Sequence, residues 1–294
     1  ISADKRRAVV ASLVEGNSLR ATSRMTGVSL NTVTKLLVDL GTVCSIEQDQ
    51  LLRNLSCEHI QVDEIWSFVY SKARNVPEGK RGEAGDVWTW VALDADTKIV
   101  PSYRIGPRDY RTAVAFMDDL QKRLTNRVQL TTDGYVVYLD AVKETFGRDV
   151  DYAQLIKTYG TTADQRKPER RYSPSVCLSA DPFPVNGSPD PAHISTSHVE
   201  RLNLTMRMSL RRYTRLTNAF SKKVENLTAA VAMHFMHYNF CRVHGGLDKR
   251  TPAMAAGITD HVWSLDELIA LLSDAEQAVP MKRGPYKKRQ PISD

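Results

Sequence analysis

The chain has 294 residues, of which 42% are hydrophobic and 25% charged, and its 40 lysines and arginines outnumber 34 acidic residues to give a net charge of +6. This composition is that of a globular protein and excludes a fibrous or wholly disordered chain. No segment has the run of roughly 18 apolar residues needed to cross a bilayer, and the first residues lack the apolar stretch of a signal peptide. We therefore expect a cytoplasmic protein without membrane contact.

Basic residues are concentrated in two segments. Residues 201–223 contain seven lysines and arginines and no acid, and the last fourteen residues contain five against Asp294. Such clusters are typical of proteins that bind the phosphate backbone of nucleic acids. For the second cluster the alternative is a solvated tail. The four cysteines are scattered without a C-x-x-C pair, which favours reduced thiols over disulfides or a zinc site.

The first 41 residues predict three short helices. The second helix starts after Ser18 and stops at Gly27, and the third is predicted to run from a Ser29 cap to Gly41. Two helices joined by a tight turn match a helix-turn-helix, and the alternative is a three-helix bundle without DNA contact. In the first geometry the third helix reads the major groove with Asn31, Thr32, Thr34 and Lys35.

Residues 58–159 predict an α/β fold. The segments 58–70, 86–94 and 98–106 are rich in β-branched and aromatic residues, and they predict an antiparallel meander. A helix, a strand (127–133), a second helix and a last strand (151–159) follow, which is the order of a ribonuclease H-like mixed sheet. Residues 160–195 contain six of the thirteen prolines and predict a long loop or insertion, after which three more helices follow.

Three acids are candidates for chemistry. Asp63 lies in an apolar strand, where a carboxylate needs a cation or hydrogen-bond donors, although a solvated strand end is the alternative. Its neighbour Glu64 points to the opposite face, and the sequence leaves open which of the two faces a site. Asp133 ends a strand before Gly134, either as a ligand at the sheet edge or as an Asp-Gly turn. Glu200 shares a helix stripe with Asn203 and Arg207.

Glu200 has a structural alternative, because Ser197 to Glu200 also fits a capping box. Taken together, the three carboxylates in a basic protein favour hard divalent cations bound by oxygen. Two such ions could stabilise the attacking and leaving oxygens of a phosphodiester displacement. The histidines His234, His237 and His244 are expected to be core or surface residues.

The segments IQVDEIWSFV, LTTDGY, SHVERLNLTMR and YNFCRVHGGLDKRTPAMAAGI resemble the hallmark blocks of bacterial insertion-sequence transposases of the Asp-Asp-Glu (DDE) type, specifically the insertion-sequence-one family. The resemblance spans roughly residues 58 to 260. It implies a ribonuclease H-like core in which Asp63, Asp133 and Glu200 hold two Mg²⁺ ions, with Mn²⁺ as a substitute. It also implies DNA transposition by a homo-oligomer that binds the double-stranded ends of a mobile element and a target, in a bacterial cytoplasm at the nucleoid.

By the same resemblance, Asn203 and Arg207 would position DNA near the metals, and the cations from Arg211 and Arg212 onward would bind phosphates. In the tail, Lys282 and Arg283 precede Gly-Pro and are similar to a minor-groove hook. The predicted domains are a helix-turn-helix at 1–45, a catalytic domain at 56–245 with the insertion at 160–195, and a helical segment with a basic tail at 246–294.

One feature departs from the family. A cysteine-rich zinc-binding segment often precedes the helix-turn-helix, and this chain begins with Ile1 and shows none. Either such a segment lies upstream or this branch lacks it. Two rival functions stay open: a transposase-derived DNA-binding regulator without catalysis, and a ribonuclease H-type nuclease that hydrolyses without joining.

Overall fold

Serine residues cap all three N-terminal helices, the first through the Ser2 hydroxyl, which accepts the Lys5 backbone N–H at 3.4 Å. The computed structural model describes residues 1–160, 176–214 and 218–278. The hydroxyls of Ser18 and Ser29 accept hydrogen bonds from the backbone N–H groups of Ala21 (3.1 Å) and Thr32 (3.2 Å). Gly27 ends the second helix with a φ of +67°. The three predicted helices are thus confirmed as α1 (Ala3–Val14), α2 (Leu19–Thr26) and α3 (Leu30–Leu51).

Helix α3 is longer than the sequence predicted, and the predicted end at Gly41 is wrong. A Cβ atom at Gly41 would lie 2.2 Å from the carbonyl oxygen of Ala229 in α7 (Val224–Met236). Glycine therefore allows two helix backbones to touch instead of ending the helix. Two turns further on, the buried Gln48 amide donates to the carbonyl of Ala232 at 3.0 Å. Among the described residues, the N-terminal helices share one large hydrophobic core with the sheet and with α7.

The described residues form a sheet of six strands, β1 (His59–Val69), β2 (Gly85–Asp94), β3 (Tyr103–Gly106), β4 (Gln129–Asp133), β5 (Asp151–Gly160) and β6 (Val176–Asn186). Their order in the sheet is β3-β2-β1-β4-β5-β6. Strand β1 pairs antiparallel with β2 and parallel with β4, β4 is parallel to β5, and the remaining pairs are antiparallel. The predicted mixed α/β architecture is confirmed at this level.

Two strand predictions need correction. Strand β3 begins only at Tyr103, because the backbone N–H and carbonyl of Val100 are bound by the side-chain amide of Asn239. The predicted loop at 160–195 is wrong for β6, which forms the outer strand of the sheet. An outer strand tolerates Pro182 and Pro184, whereas a central strand would lose ladder hydrogen bonds there.

The helices cover both faces of the sheet. Besides α1, α2, α3 and α7, they are α4 (Tyr110–Gln121), α5 (Val137–Phe146), α6 (Ser197–Ser209), α8 (Pro252–Ala255) and α9 (Leu265–Ala278). Trp90 of β2 packs against Phe116 of α4 and Tyr138 of α5 on one face, and β1 contacts α6 on the other. Helix α6 ends at Ser209, because Leu210 is extended. No helix in the described ranges is long and apolar enough to cross a membrane.

Candidate active site

The candidate site lies where two parallel strands separate. Strands β1 and β4 pair only from His59 to Gln61, opposite Gln129 to Thr131. Beyond that point the chains diverge, and carboxylate oxygens of Asp63, Glu64 and Asp133 lie within 4.8 Å of one another. A crevice outside the carboxyl ends of strands is where open α/β sheets bind ligands. The fold thus brings together two of the three predicted acids and adds Glu64.

Hydrogen bonds from the surrounding elements fix Asp63 and Asp133. The Nδ2 group of Asn203 in α6 donates to Asp63 Oδ2 at 2.7 Å, and the backbone N–H of Glu64 donates to Asp63 Oδ1 at 2.8 Å. Asp133 Oδ1 accepts the backbone N–H of Tyr135 at 3.0 Å. The turn interpretation of Asp133 is confirmed by this bond. The same carboxylate also lies near the other two acids, which keeps its role as a ligand a prediction.

Glu64 is the acid that sequence reasoning left undecided. Its side chain is 2% exposed, and its Oε2 lies 3.6 Å from Arg108 Nη2. Its Oε1 and the Oδ1 atom of Asn203 are both buried and make no hydrogen bond of standard geometry with the described residues, although the Tyr138 hydroxyl lies close enough to lower the pKa of Glu64. Unpartnered buried oxygens are costly, and they are the kind of ligand that Mg²⁺ and Mn²⁺ prefer. The donor set therefore fits a hard divalent cation.

Burial and mutual repulsion perturb the two adjacent acids. Burial raises the pKa of Asp63 to about 6, with the charges of Asp133 and Glu200 adding to the shift. Burial also raises the pKa of Glu64 to about 7, assisted by Asp133 and opposed by the Arg108 guanidinium. Strongly shifted acids in a crevice are typical of functional sites, because packing them together costs folding stability.

We expect Glu64→Gln to stabilise the protein at pH 8 by on the order of a few kcal/mol in the absence of divalent ions. The folded-state pKa lies above the unfolded one, so the penalty of the charged carboxylate is absent below about pH 4 and develops as pH rises through about 7. Urea unfolding of both proteins from pH 4 to pH 8 measures this difference.

The difference between the two proteins is the informative quantity. Burial lowers the pKa of His234 to about 3 in the folded protein. When the pH falls below the usual pKa of histidine, only the unfolded state binds a proton at this imidazole. Both proteins therefore lose stability in acid. This loss cancels in the comparison. A difference that does not change with pH would contradict the assignment of Glu64 as a charged, buried member of the cluster.

Glu200 is near the three acids but is bound elsewhere. Its carboxylate accepts a hydrogen bond from the Thr196 hydroxyl at 2.7 Å and forms an ion pair with Lys157 of β5. Its side chain is 47% exposed, and it is not one of the three acids within 4.8 Å of each other. The capping-box alternative is wrong, because Thr196 is the N-cap and makes no side-chain capping bond. Gln61 Oε1 instead accepts the N–H groups of His198 and Val199.

The residues predicted to contact DNA have differing environments. Asn31 and Lys35 are exposed at the start of α3, where Lys35 pairs with Asp39. The hydroxyl of Thr32 hydrogen-bonds that of Ser29, and the Thr34 hydroxyl donates to the Leu30 carbonyl.

The predicted phosphate-binding arginines lie at and beyond the end of α6. Arg207 is half-buried in its last turn, and Arg211 is exposed just after it. Arg212 donates to the Ser221 hydroxyl at 2.8 Å, and burial lowers its pKa to about 10. Lys282 and Arg283 lie outside the described residues.

Comparison with known proteins gives limited similarity. No protein-family profile matches the chain, and no curated protein matches its sequence. A cryo-EM structure of a piggyBac transposase synaptic complex with hairpin DNA is similar over 96% of this chain and 74% of that chain, with 10% sequence identity and a TM-score of 0.43.

Proposed function

We propose that the chain is a DNA transposase that cleaves the ends of its own mobile element and joins them to target DNA by two-metal in-line phosphodiester transfer. The observation that carries this proposal is the convergence of Asp63, Glu64 and Asp133 where β1 and β4 separate. The Asn203–Asp63 hydrogen bond ties the Glu200 helix to the same strand. Two strand carboxylates beside a helix that carries a third are what the resemblance to DDE transposases requires.

The sheet supports a ribonuclease H-like core. Its first five strands lie in the order β3-β2-β1-β4-β5, with an antiparallel meander followed by two parallel strands. Helices α4 and α5 connect the parallel strands across one face, as crossovers do. On this basis we propose residues 56–245 as the catalytic domain and residues 246–294 as a C-terminal helical segment and tail.

Divalent cations at this site, Mg²⁺ or Mn²⁺, would supply charge stabilisation for the attacking and leaving oxygens. Asp63 would be the central ligand, since Asn203 and the Glu64 N–H hold its two oxygens in place. Asp133 and Glu64 would complete one side of the site. Glu200 would join from the other side after exchanging its ion pair with Lys157.

DNA recognition is assigned to residues 1–45. The exposed start of α3, with Asn31 in its first turn and Lys35 in its second, would enter the major groove. The Arg-rich segment after Asn203 would contact phosphates near the site. Because two ends are processed together, we propose a homo-oligomer as the working form. We further propose a bacterial cytoplasmic location at the nucleoid, because the sequence blocks resemble those of bacterial insertion-sequence transposases.

We expect Lys35→Ala to weaken binding of the element's end DNA and to lower the slope of log affinity against log salt by about one. The reason is that the Lys35 ammonium, exposed near the start of α3, would neutralise one DNA phosphate. Lys122→Ala is the matched control, because Lys122 also forms an exposed helical ion pair four residues from its partner, Asp118. Fluorescence anisotropy over a salt series measures both. Equal DNA binding by wild type and Lys35→Ala at all salt concentrations would show that α3 does not contact the DNA.

The function is tested by a cleavage and joining assay on labelled DNA from the ends of the element, with Mg²⁺, with Mn²⁺ and with chelator. We expect metal-dependent nicking at a fixed position, followed by joined products. Scattered hydrolysis without joining would instead establish a nuclease. Tight binding without cleavage under any metal would establish a DNA-binding regulator.

A further inference from the structure

Arg108 is held against the acidic cluster by an aromatic ring. Its guanidinium carbon lies 3.8 Å from the centre of the Tyr135 ring, and the Tyr135 hydroxyl donates to the Arg108 carbonyl at 3.1 Å. Its Nη2 lies 3.6 Å from Glu64 Oε2 and 3.9 Å from Asp133 Oδ2. Tyr135 also donates its backbone N–H to Asp133. Arg108 and the acids are thus fixed to one another through Tyr135.

Arg108 is the counter-cation of this cluster. Within the described ranges, no other lysine, arginine or histidine nitrogen lies within 4 Å of the Glu64 or Asp133 carboxylates. The oxygens that face its guanidinium belong to the same carboxylates that a divalent cation would bind. Two cations that share these carboxylates repel each other, so binding of one weakens the contacts of the other.

We propose that Arg108 competes with the divalent cation for Glu64 and Asp133, and that the displaced guanidinium binds a phosphate of the DNA substrate. This inference rests on the proposed function for the identity of the substrate. The side chain is 36% exposed, so it can turn toward solvent while its ring contact keeps it beside the crevice. Its planar set of donors matches the geometry of a phosphate. Arg108 is therefore a positioning residue that links metal entry to DNA binding.

The first test is Mn²⁺ binding to the full chain without DNA, measured by isothermal titration calorimetry. We expect Arg108→Ala to bind Mn²⁺ about tenfold more tightly than wild type, since the competing cation is gone. Arg111→Ala, which removes an exposed arginine three residues away, is the matched control and should equal wild type. Thermal unfolding in parallel verifies that both variants are folded. Unchanged or weaker Mn²⁺ binding by Arg108→Ala, or no binding by any of the proteins, would overturn the competition.

The second test is DNA binding with and without Mn²⁺, on pre-cleaved end DNA with a 3′-dideoxy terminus, which can be neither cleaved nor joined. We expect Arg108→Ala to lower the salt slope by about one in the presence of Mn²⁺ and to leave it unchanged in its absence. An equal effect under both conditions, or none under either, would overturn the transfer to phosphate. Neither test requires joining of DNA. If Arg108 showed both expected effects in a protein that makes no joined products, only the proposed function would be contradicted.

Discussion

Asp133→Asn is expected to lower DNA cleavage by about a thousandfold while leaving the affinity for end DNA within about twofold of wild type. The substitution removes the negative charge that a divalent cation needs, at the end of β4 where the three acids meet. It keeps the local fold, because the Asn side-chain oxygen can still accept the Tyr135 backbone N–H. The cleavage assay with Mg²⁺ measures the rate, and anisotropy measures the affinity.

Asp140→Asn is the matched control for this prediction. Asp140 lies on the exposed side of α5, outside the acidic cluster. Its replacement by Asn makes the same change in charge and shape as Asp133→Asn. We expect its cleavage rate to equal that of wild type. If Asp133→Asn cleaved DNA as fast as Asp140→Asn, the carboxylates between β1 and β4 would not be the catalytic site, and the proposed mechanism would fail.

Gly41→Ala is expected to destabilise the protein by about 3 kcal/mol. Alanine in a helix normally stabilises relative to glycine by up to about 1 kcal/mol, so the expected sign is opposite to that of helix propensity. The reason is the contact with α7, where the new Cβ would lie 2.2 Å from the Ala229 carbonyl oxygen and 2.6 Å from its Cα. Backbone atoms cannot rotate away, and the two helices must separate.

Thr42→Ala is the comparison for Gly41→Ala. Thr42 is the next residue of α3, it is exposed, and its hydroxyl donates only to the Val38 carbonyl. Urea unfolding should show a small gain for Thr42→Ala and a large loss for Gly41→Ala. A gain for both variants would mean that α3 and α7 are further apart than described.

The caps and the strand pattern were predictable because they depend on neighbours in sequence. Ser18, Ser29 and Gly27 act within one turn of their own helices, and their chemistry is the same in any fold. The β1 and β2 segments were likewise predictable, because they are rich in β-branched and aromatic residues. Local rules suffice for such elements.

The extent of α3 and the strand β6 were not predictable from local rules. Glycine is common at helix ends, so Gly41 was interpreted as one. Only the nearby backbone of Ala229 explains why a glycine lies in the interior of this helix. Pro182 and Pro184 argue against a central strand, but the sequence does not reveal that a strand lies at the edge of a sheet.

In the candidate site, the positions of two acids were predictable and those of their partners were not. Asp63 and Asp133 stand out because each is a charged residue in an otherwise buried strand. Arg108 comes from the turn before α4 and Lys157 from the middle of β5, and neither position has a pattern that marks it. A signal for Glu64 did exist, because an acid on each face of one buried strand requires a partner on each side.

The continuous helix α3 also fixes a geometric relationship. Its 22 residues extend about 33 Å, close to one turn of B-form DNA, and its second half is packed against α7. A rigid rod transmits rotation as well as distance, since each inserted residue would turn its exposed first turn by about 100°. If the start of α3 reads base edges as proposed, the length of α3 determines the distance between the recognised bases and the cleaved phosphate. It also determines their relative rotation about the DNA axis.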